Sequence, residues 1–497
     1  MGTPTEPVPP ARVSTESRNP SGKTFFGQPR MLANLFSVEM WERFSFYGMQ
    51  VVVLLYMYFE VSEGGLGIDQ GVAAGIIGAY GGSVYLSTIL GAWVADRLLG
   101  SERVLFYSAI IIMLGHISLA LLPGIVGLAA GLILVGLGSG GLKANATTLV
   151  GSLYAPDDDR RDAGFSLFYM GINIGALFGP LLTGLTHNLL GFHFAFGLAA
   201  IGMAFGLIQY ALTRKNLPEE AHVIADPLPR QKYLPVAGIA VLALAVIIVA
   251  VLTRLVTPAN LAGVVAAVSV AAAVIYFIVI LSSRHIDRTE RRRVLSFIPM
   301  FIASAAFFSI FQQQFTVITL YSDQRLDRSV LGWMVPIEWV QSFNPVYIIV
   351  LAPVFAAIWT RLGHRQPVTP LKFAMALAIM GLAVLAFIPL AGGGPNSSPL
   401  PAIAGILLLF TLAELLLSPV GLSLSTKLAP RIFHAQMVAL NFLSVALGTA
   451  TSGVLAKFYD PTNEVPYFGA IGAAAIALAA ALALAARPIL NLMSGVR

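Results

Sequence analysis

The sequence predicts an all-α membrane protein that crosses a bilayer fourteen times, as two six-helix bundles with an extra pair of helices between them. Three observations carry this reading. Of 497 residues, 57% are hydrophobic and only 11% charged, where soluble domains carry about 25% charged residues. Apolar runs reach the ~20 residues needed to cross hydrocarbon, and they fall in groups of six, two and six. Lys and Arg collect in alternate short loops between those runs, so the net charge of +6 reads as membrane orientation rather than affinity for nucleic acid. There is no cysteine, so neither disulfides nor thiolate metal sites are available.

Taken in order, residues 1 to about 30 are rich in Pro, Ser and Thr. They lack the apolar core of a signal peptide and read as a disordered cytoplasmic tail. A first bundle at 31–215 holds apolar runs near 34–59, 71–95, 104–122, 126–150, 163–187 and 193–213. The polar stretch "TRKNLPEEAHVIADPLPRQKY" then leads into a linker, 216–290, with two further runs near 233–253 and 261–283. A second bundle at 291–490 holds runs near 295–320, 335–359, 371–390, 401–425, 436–456 and 467–486, and 491–497 is left as a short tail. Alternate loops contain Arg97 and Arg103, Arg160 and Arg161, Arg214 and Lys215, the cluster from Arg284 to Arg293, Arg361 and Arg365, and Arg431. The opposite loops hold only Arg254, Arg325, Arg328 and Lys457. The positive-inside rule therefore places both termini in the cytoplasm. An echo of "WVADRLLGSER" (93–103) in "WTRLGHR" (359–365) suits two matching halves, as in a major facilitator architecture.

Ionisable groups inside apolar runs are costly and mark function. "FSVEMWERFSFYG" (36–48) puts Glu39, Glu42 and Arg43 on one helical arc, with Tyr47 a turn later. "GLGSGGLKAN" (136–145) carries Lys143. A phosphate loop is excluded there, since no strand precedes it and no Ser or Thr follows the lysine. Gly136 and Gly140 instead read as a small-residue face for close helix approach. Tyr169 and Asn173 share a face, four residues apart, and Asn173 serves equally as inter-helical glue or as a ligand. Glu414 has no basic neighbour at helical spacing, and Asn344 precedes Pro345, where a helix can bend. His116 reads as a satisfied core histidine. A cavity between the halves would thus have a cationic wall at Arg43 and Lys143 and an anionic wall at Glu414, which suits a zwitterion. A peptide is the natural zwitterion of that length, and an amino acid is the shorter competitor.

"EMWERFSFYG", with "GAWVADRLLG", "GLKAN", "FSLFYMGINIGALFGP", "GFHFAFGLAAIGM", "SFNPVYII" and "ELLLSPVGLSLSTKLAP", resembles the proton-dependent oligopeptide transporters of the major facilitator superfamily. The resemblance runs over roughly residues 33–460. It implies import of di- and tripeptides driven by protons across a bacterial-type inner membrane, with alternating access between two bundles, no cofactor and no enzyme activity. It also implies that Glu39, Glu42 and Arg43 couple protons to substrate. Arg43 and Lys143 would hold the peptide carboxylate, Asn173, Asn344 and Glu414 its amino end, and Tyr47 and Tyr85 would line the pocket with Tyr169. The bilayer, protons and peptides are the expected partners of a monomer.

Two stretches depart from the family pattern, at Gln312 with Phe315 and at Asn441. Gln312, in "IFQQQFTVITLY", stands where a glutamate is usual, and glutamine cannot titrate. Phe315 follows where a small residue is usual. Asn441 replaces a common tryptophan. Coupling would then rest on Glu39 and Glu42, with Glu414 a further candidate and Glu338 set aside because it lies near a span end. The alternatives are transport of an amino acid, nitrate or a drug on the same fold, or peptide uniport with weakened coupling.

Overall fold

The computed structural model describes residues 24–155, 158 and 160–496, so most of the expected tail at 1–30 lies outside the described residues. Its last part forms a turn closed by backbone bonds between Phe25 and Gln28. Gln28 is buried and accepts from the Tyr154 hydroxyl at 3.1 Å.

The first six helices are α1 (Arg30–Tyr58), α2 (Gln70–Val94), α3 (Ser101–Leu121), α4 (Gly124–Gly151), α5 (Arg161–Leu190) and α6 (Phe192–Thr213). The linker holds α7 (Tyr233–Leu252) and α8 (Leu261–Ser282). The second set comprises α9 (Arg288–Phe311), α10 (Val317–Arg325), α11 (Phe343–Leu362), α12 (Thr369–Leu385), α13 (Leu400–Lys427), α14 (His434–Ala456), α15 (Val465–Leu484) and α16 (Ala486–Met493). Thirteen segments are long and apolar enough to span a bilayer. The fourteenth crossing is α1, whose 29 residues extend roughly 43 Å and carry the three charges of the Glu39–Arg43 cluster. Two of the sequence boundaries shift. Residues 491–493, expected in the tail, belong to α16, where Met493 is buried. One expected span, near 295–320, is broken into α9, a 3-10 turn at Gln312–Phe315, and α10.

Glycine decides how closely the helices approach around α1. Gly48 faces α5, where an added Cβ would lie 2.8 Å from Thr183 Cγ2 and 3.1 Å from the Gly179 carbonyl. The Thr183 hydroxyl donates to the Gly48 carbonyl at 2.9 Å. Overpacking of this kind costs about 1–3 kcal/mol. Gly48→Val should therefore lower the melting temperature in detergent micelles, and an unchanged melt would contradict this packing account. Gly140 on α4 meets Ser87 and Thr88 of α2, the close approach expected of its small-residue face. Of the linker helices, α8 packs Ala262 and Val265 against Ala79 of α2 and Ala450 of α14, while α7 buries none of its residues.

Candidate functional site

Between the two sets of helices lies a cavity of about 300 Å³. Tyr47 reaches it from α1, Tyr85 from α2, Lys143 from α4, and Tyr169 and Asn173 from α5. The other wall supplies Gln312 from the 3-10 turn, Asn344 from α11 and Glu414 from α13. Eight of the eleven expected site residues thus share one space, and the charged ends face each other from different halves.

Lys143 Nζ sits 4.7 Å from the Phe46 ring centroid and 4.9 Å from that of Tyr85. These aromatic faces are favourable neighbours for a cation. Lys143 has no ion-pair partner among the described residues. Glu414 Oε2 accepts from Asn344 Nδ2 at 3.0 Å, and the same Asn344 nitrogen reaches Thr411 Oγ1 at 3.0 Å. Glu414 likewise lacks a cationic partner among the described residues. Asn173 Nδ2 donates to the carbonyl of Tyr169 on its own helix at 2.9 Å. It therefore lines the cavity without tying two helices together. Pro345 falls in the first turn of α11, where its missing N–H is harmless, and so does not kink a span as the sequence suggested.

Glu39, Glu42 and Arg43 are buried and are not among the cavity's lining residues, though Arg43 lies one turn from Phe46 and Tyr47, which are. Arg43 donates to Glu39 Oε1 through Nε at 2.9 Å and through Nη2 at 2.5 Å. Its Nη1 is 3.2 Å from Glu42 Oε2. Two carboxylates thus share one guanidinium, and Glu39 Oε2 and both oxygens of Glu42 have no hydrogen-bond donor among the described residues. Arg43, expected at the substrate, is engaged within its own helix because both carboxylates lie within one helical turn of it.

Several lining residues escaped the sequence reading. Gln50 is buried on α1, and its Oε1 has no partner among the described residues. Its spacing from Tyr47 and Arg43, three and seven residues, was the available signal. Gln314, in the break between α9 and α10, and Gln341, in the turn at Ile337–Ser342, also line the cavity. At the break the freed Gln314 carbonyl accepts from Gln341 Nε2 and from Thr319 Oγ1, the latter at 2.9 Å. Such repair of interrupted backbone is what a helix break in a membrane requires. Phe315 stacks on Tyr47 across the two halves, with ring centroids 5.9 Å apart, and Asn441 also lines the space. His116 departs from expectation: it is fully buried, yet neither ring nitrogen has a partner among the described residues.

The cavity is closed at one end. All five hydrogen bonds or ion pairs joining α1–α6 to α9–α16 among the described residues lie there. They are Tyr58 to Asp323, Gln324 to Gln70 at 3.0 Å, His187 to Glu338 at 2.6 Å, Trp339 to the Leu181 carbonyl at 2.9 Å and Ser342 to the Leu177 carbonyl at 3.2 Å. Towards the other end, α11 has no buried residue beyond Ile348, and Tyr169 and Thr148 are exposed. The space therefore opens between the ends of α4, α5, α11 and α13.

The sequence profile of the POT family matches residues 102–474. The chain belongs to the POT family. Among relatives, the uncharacterized transporter YclF of Bacillus subtilis is 41% identical over 478 residues, covering 95% of this chain and 97% of its own. A di-/tripeptide transporter of Lactococcus lactis subsp. cremoris is 37% identical over 497 residues, covering 97% of this chain and 100% of its own. A peptide transporter POT solved in complex with sulfate superposes with a TM-score of 0.91 at 43% identity, over 95% of this chain and 97% of that one. The POT fold seen here is thus the major facilitator arrangement, two six-helix bundles with two helices between them, in a multi-pass membrane protein.

Proposed function

We propose that this POT-family protein is a secondary active transporter that imports di- and tripeptides with protons by alternating access. The observation that carries the reading is the placement of Lys143 and Glu414, of opposite charge and without an ion-pair partner among the described residues, on facing walls of one cavity of about 300 Å³. A desolvated cation and a desolvated anion held apart are complementary to a ligand whose two ends carry the opposite charges. The relatives named as peptide transporters support the same substrate class, and the family points to transport rather than catalysis.

In this reading Lys143 holds the peptide carboxylate, and Glu414, oriented by Asn344, holds the ammonium together with Asn173. Tyr47, Tyr85, Tyr169 and Gln312 line the backbone and side-chain space. A buried cluster of two carboxylates and one guanidinium carries a surplus negative charge. A proton on Glu39 or Glu42 removes it, loosens Arg43 and frees the guanidinium for the peptide carboxylate. Release of peptide lets the Arg43 pairs re-form and expels the proton. The bundles are taken as 31–215 and 291–490, flanking the linker at 216–290, in a monomer.

The arginines of the alternate loops sit at the open end of the cavity, among them Arg160 and Arg161 at the start of α5 and Arg361 at the end of α11. The positive-inside rule makes that end cytoplasmic, in a bacterial inner membrane, and the conformation is then open to the inside. Uptake of labelled dialanine into proteoliposomes tests the proposal. Acid outside should drive accumulation, and unlabelled di- and tripeptides should compete while alanine and nitrate do not. Equal competition by alanine or nitrate would remove the peptide reading. Equilibration without accumulation would leave a uniporter.

A further inference from the structure

One face of α5 meets the turn before α11 rung by rung. Leu177, Leu181, Gly184 and His187 follow one another at four, three and three residues, the spacing of one helical stripe. The turn at Ile337–Ser342 docks on it. Ser342 Oγ and Trp339 Nε1 donate to the carbonyls of Leu177 and Leu181. Glu338 packs on Gly184, where an added Cβ would lie 2.8 Å from Glu338 Cβ, and its Oε1 reaches His187 Nδ1 at 2.6 Å. Two of these rungs use backbone carbonyls and one uses a glycine, so only the His187–Glu338 rung depends on charge.

Glu338 is fully buried, and its Oε2 has no partner among the described residues. A carboxylate in that position is stable only while His187 faces it, since an unpaired buried charge is strongly disfavoured. Its other charged and titratable neighbours are Tyr58 and Asp323, which bond each other across the bundles, with Arg328 nearby. The same turn carries Gln341 into the cavity and runs straight into Asn344. Separating α5 from the turn would therefore open the closed end and move ligand-facing side chains together.

We propose that His187 and Glu338 are the charged rung of a latch that holds this end of the cavity shut, and that the opposite-facing state forms by unfastening it. The pair positions the turn and the gate; neither residue is assigned to the peptide. The inference rests on the alternating-access reading, but its test reads conformation rather than transport.

The chain has no cysteine, so a single Ala176→Cys in the cavity wall gives an unambiguous reporter. Vesicles of defined sidedness are treated with a membrane-impermeant maleimide from the face bearing the latch. With the latch intact, labelling is slow. His187→Gln and Glu338→Gln should each raise the rate about fivefold or more, the factor expected when a charged hydrogen bond is weakened. His187→Lys, which sets a cation opposite Glu338, should stay near the parent. A second arm, Leu181→Cys with Trp339→Cys, should on oxidation block labelling from that face, with recovery on reduction. This arm stands even if a Glu338 variant fails to fold. Unchanged labelling in both glutamine variants, or free labelling after cross-linking, overturns the latch. Loss of peptide uptake with the labelling pattern intact would count against the substrate alone.

Discussion

Lys143→Ala should weaken concentrative uptake of dialanine in proteoliposomes by roughly ten- to a hundredfold at low peptide, and Glu414→Ala should do the same through the opposite end of the ligand. Each charge faces a cavity with no ion-pair partner of its own among the described residues, so in the proposed reading the ligand supplies its counter-ion. Losing a hydrogen bond to a charged group costs about 1.5–3 kcal/mol, roughly ten- to a hundredfold in affinity. The two variants are separable by ligand chemistry. Lys143→Ala should lose most of its preference for dialanine over its C-terminal amide, because the carboxylate then has only Arg43 to meet, and Arg43 is held by Glu39 and Glu42. Glu414→Ala should in turn lose its preference for a free over an acetylated amino end. Competition against labelled dialanine measures both. A Lys143→Ala variant that still prefers the free carboxylate by the parent's margin would show that the carboxylate lies elsewhere.

The Glu42→Gln variant should keep peptide counterflow but lose accumulation driven by acid outside. Glutamine preserves the shape of the side chain and cannot carry the proton. It also leaves Arg43 paired with Glu39 alone, at 2.9 Å and 2.5 Å, and removes the surplus charge that a proton would otherwise neutralise. Gln312 on the cavity wall opposite cannot titrate, and Glu414, the one carboxylate among the described residues lining that wall, is taken up by the peptide's ammonium in the proposed reading. The expected loss is the whole of the pH-driven component, read as the ratio of internal to external peptide with and without the gradient. Full accumulation in this variant would move coupling away from the Glu39–Arg43 cluster.

Much of the fold was legible because hydrocarbon imposes a length and a composition that a sequence displays directly. Spans appear as apolar runs, and a charge within one, such as Lys143 or Glu414, stands out against its surroundings. Eight expected residues meeting in one cavity follows from that contrast. Neutral amides gave no such signal. Gln50, Gln314 and Gln341 are unremarkable in composition; Gln314 lines the cavity from the break at Gln312–Phe315, and Gln341 from the turn at Ile337–Ser342. Glu338 was set aside as a span-end residue, yet it is fully buried, because the 3-10 turn tucks it under α5 instead of leaving it at a membrane surface.

The sequence by itself determined the number of crossings, the alternation of basic loops and which ionisable groups must be sheltered, since each follows from transferring a segment into lipid. Which groups face one another was decided only in three dimensions. Lys143 facing Glu414 across the bundles and the gathering of all five inter-bundle bonds at one end depend on contacts between residues up to 265 positions apart. Helix-to-helix packing sets those distances, and no periodicity within a single span encodes them.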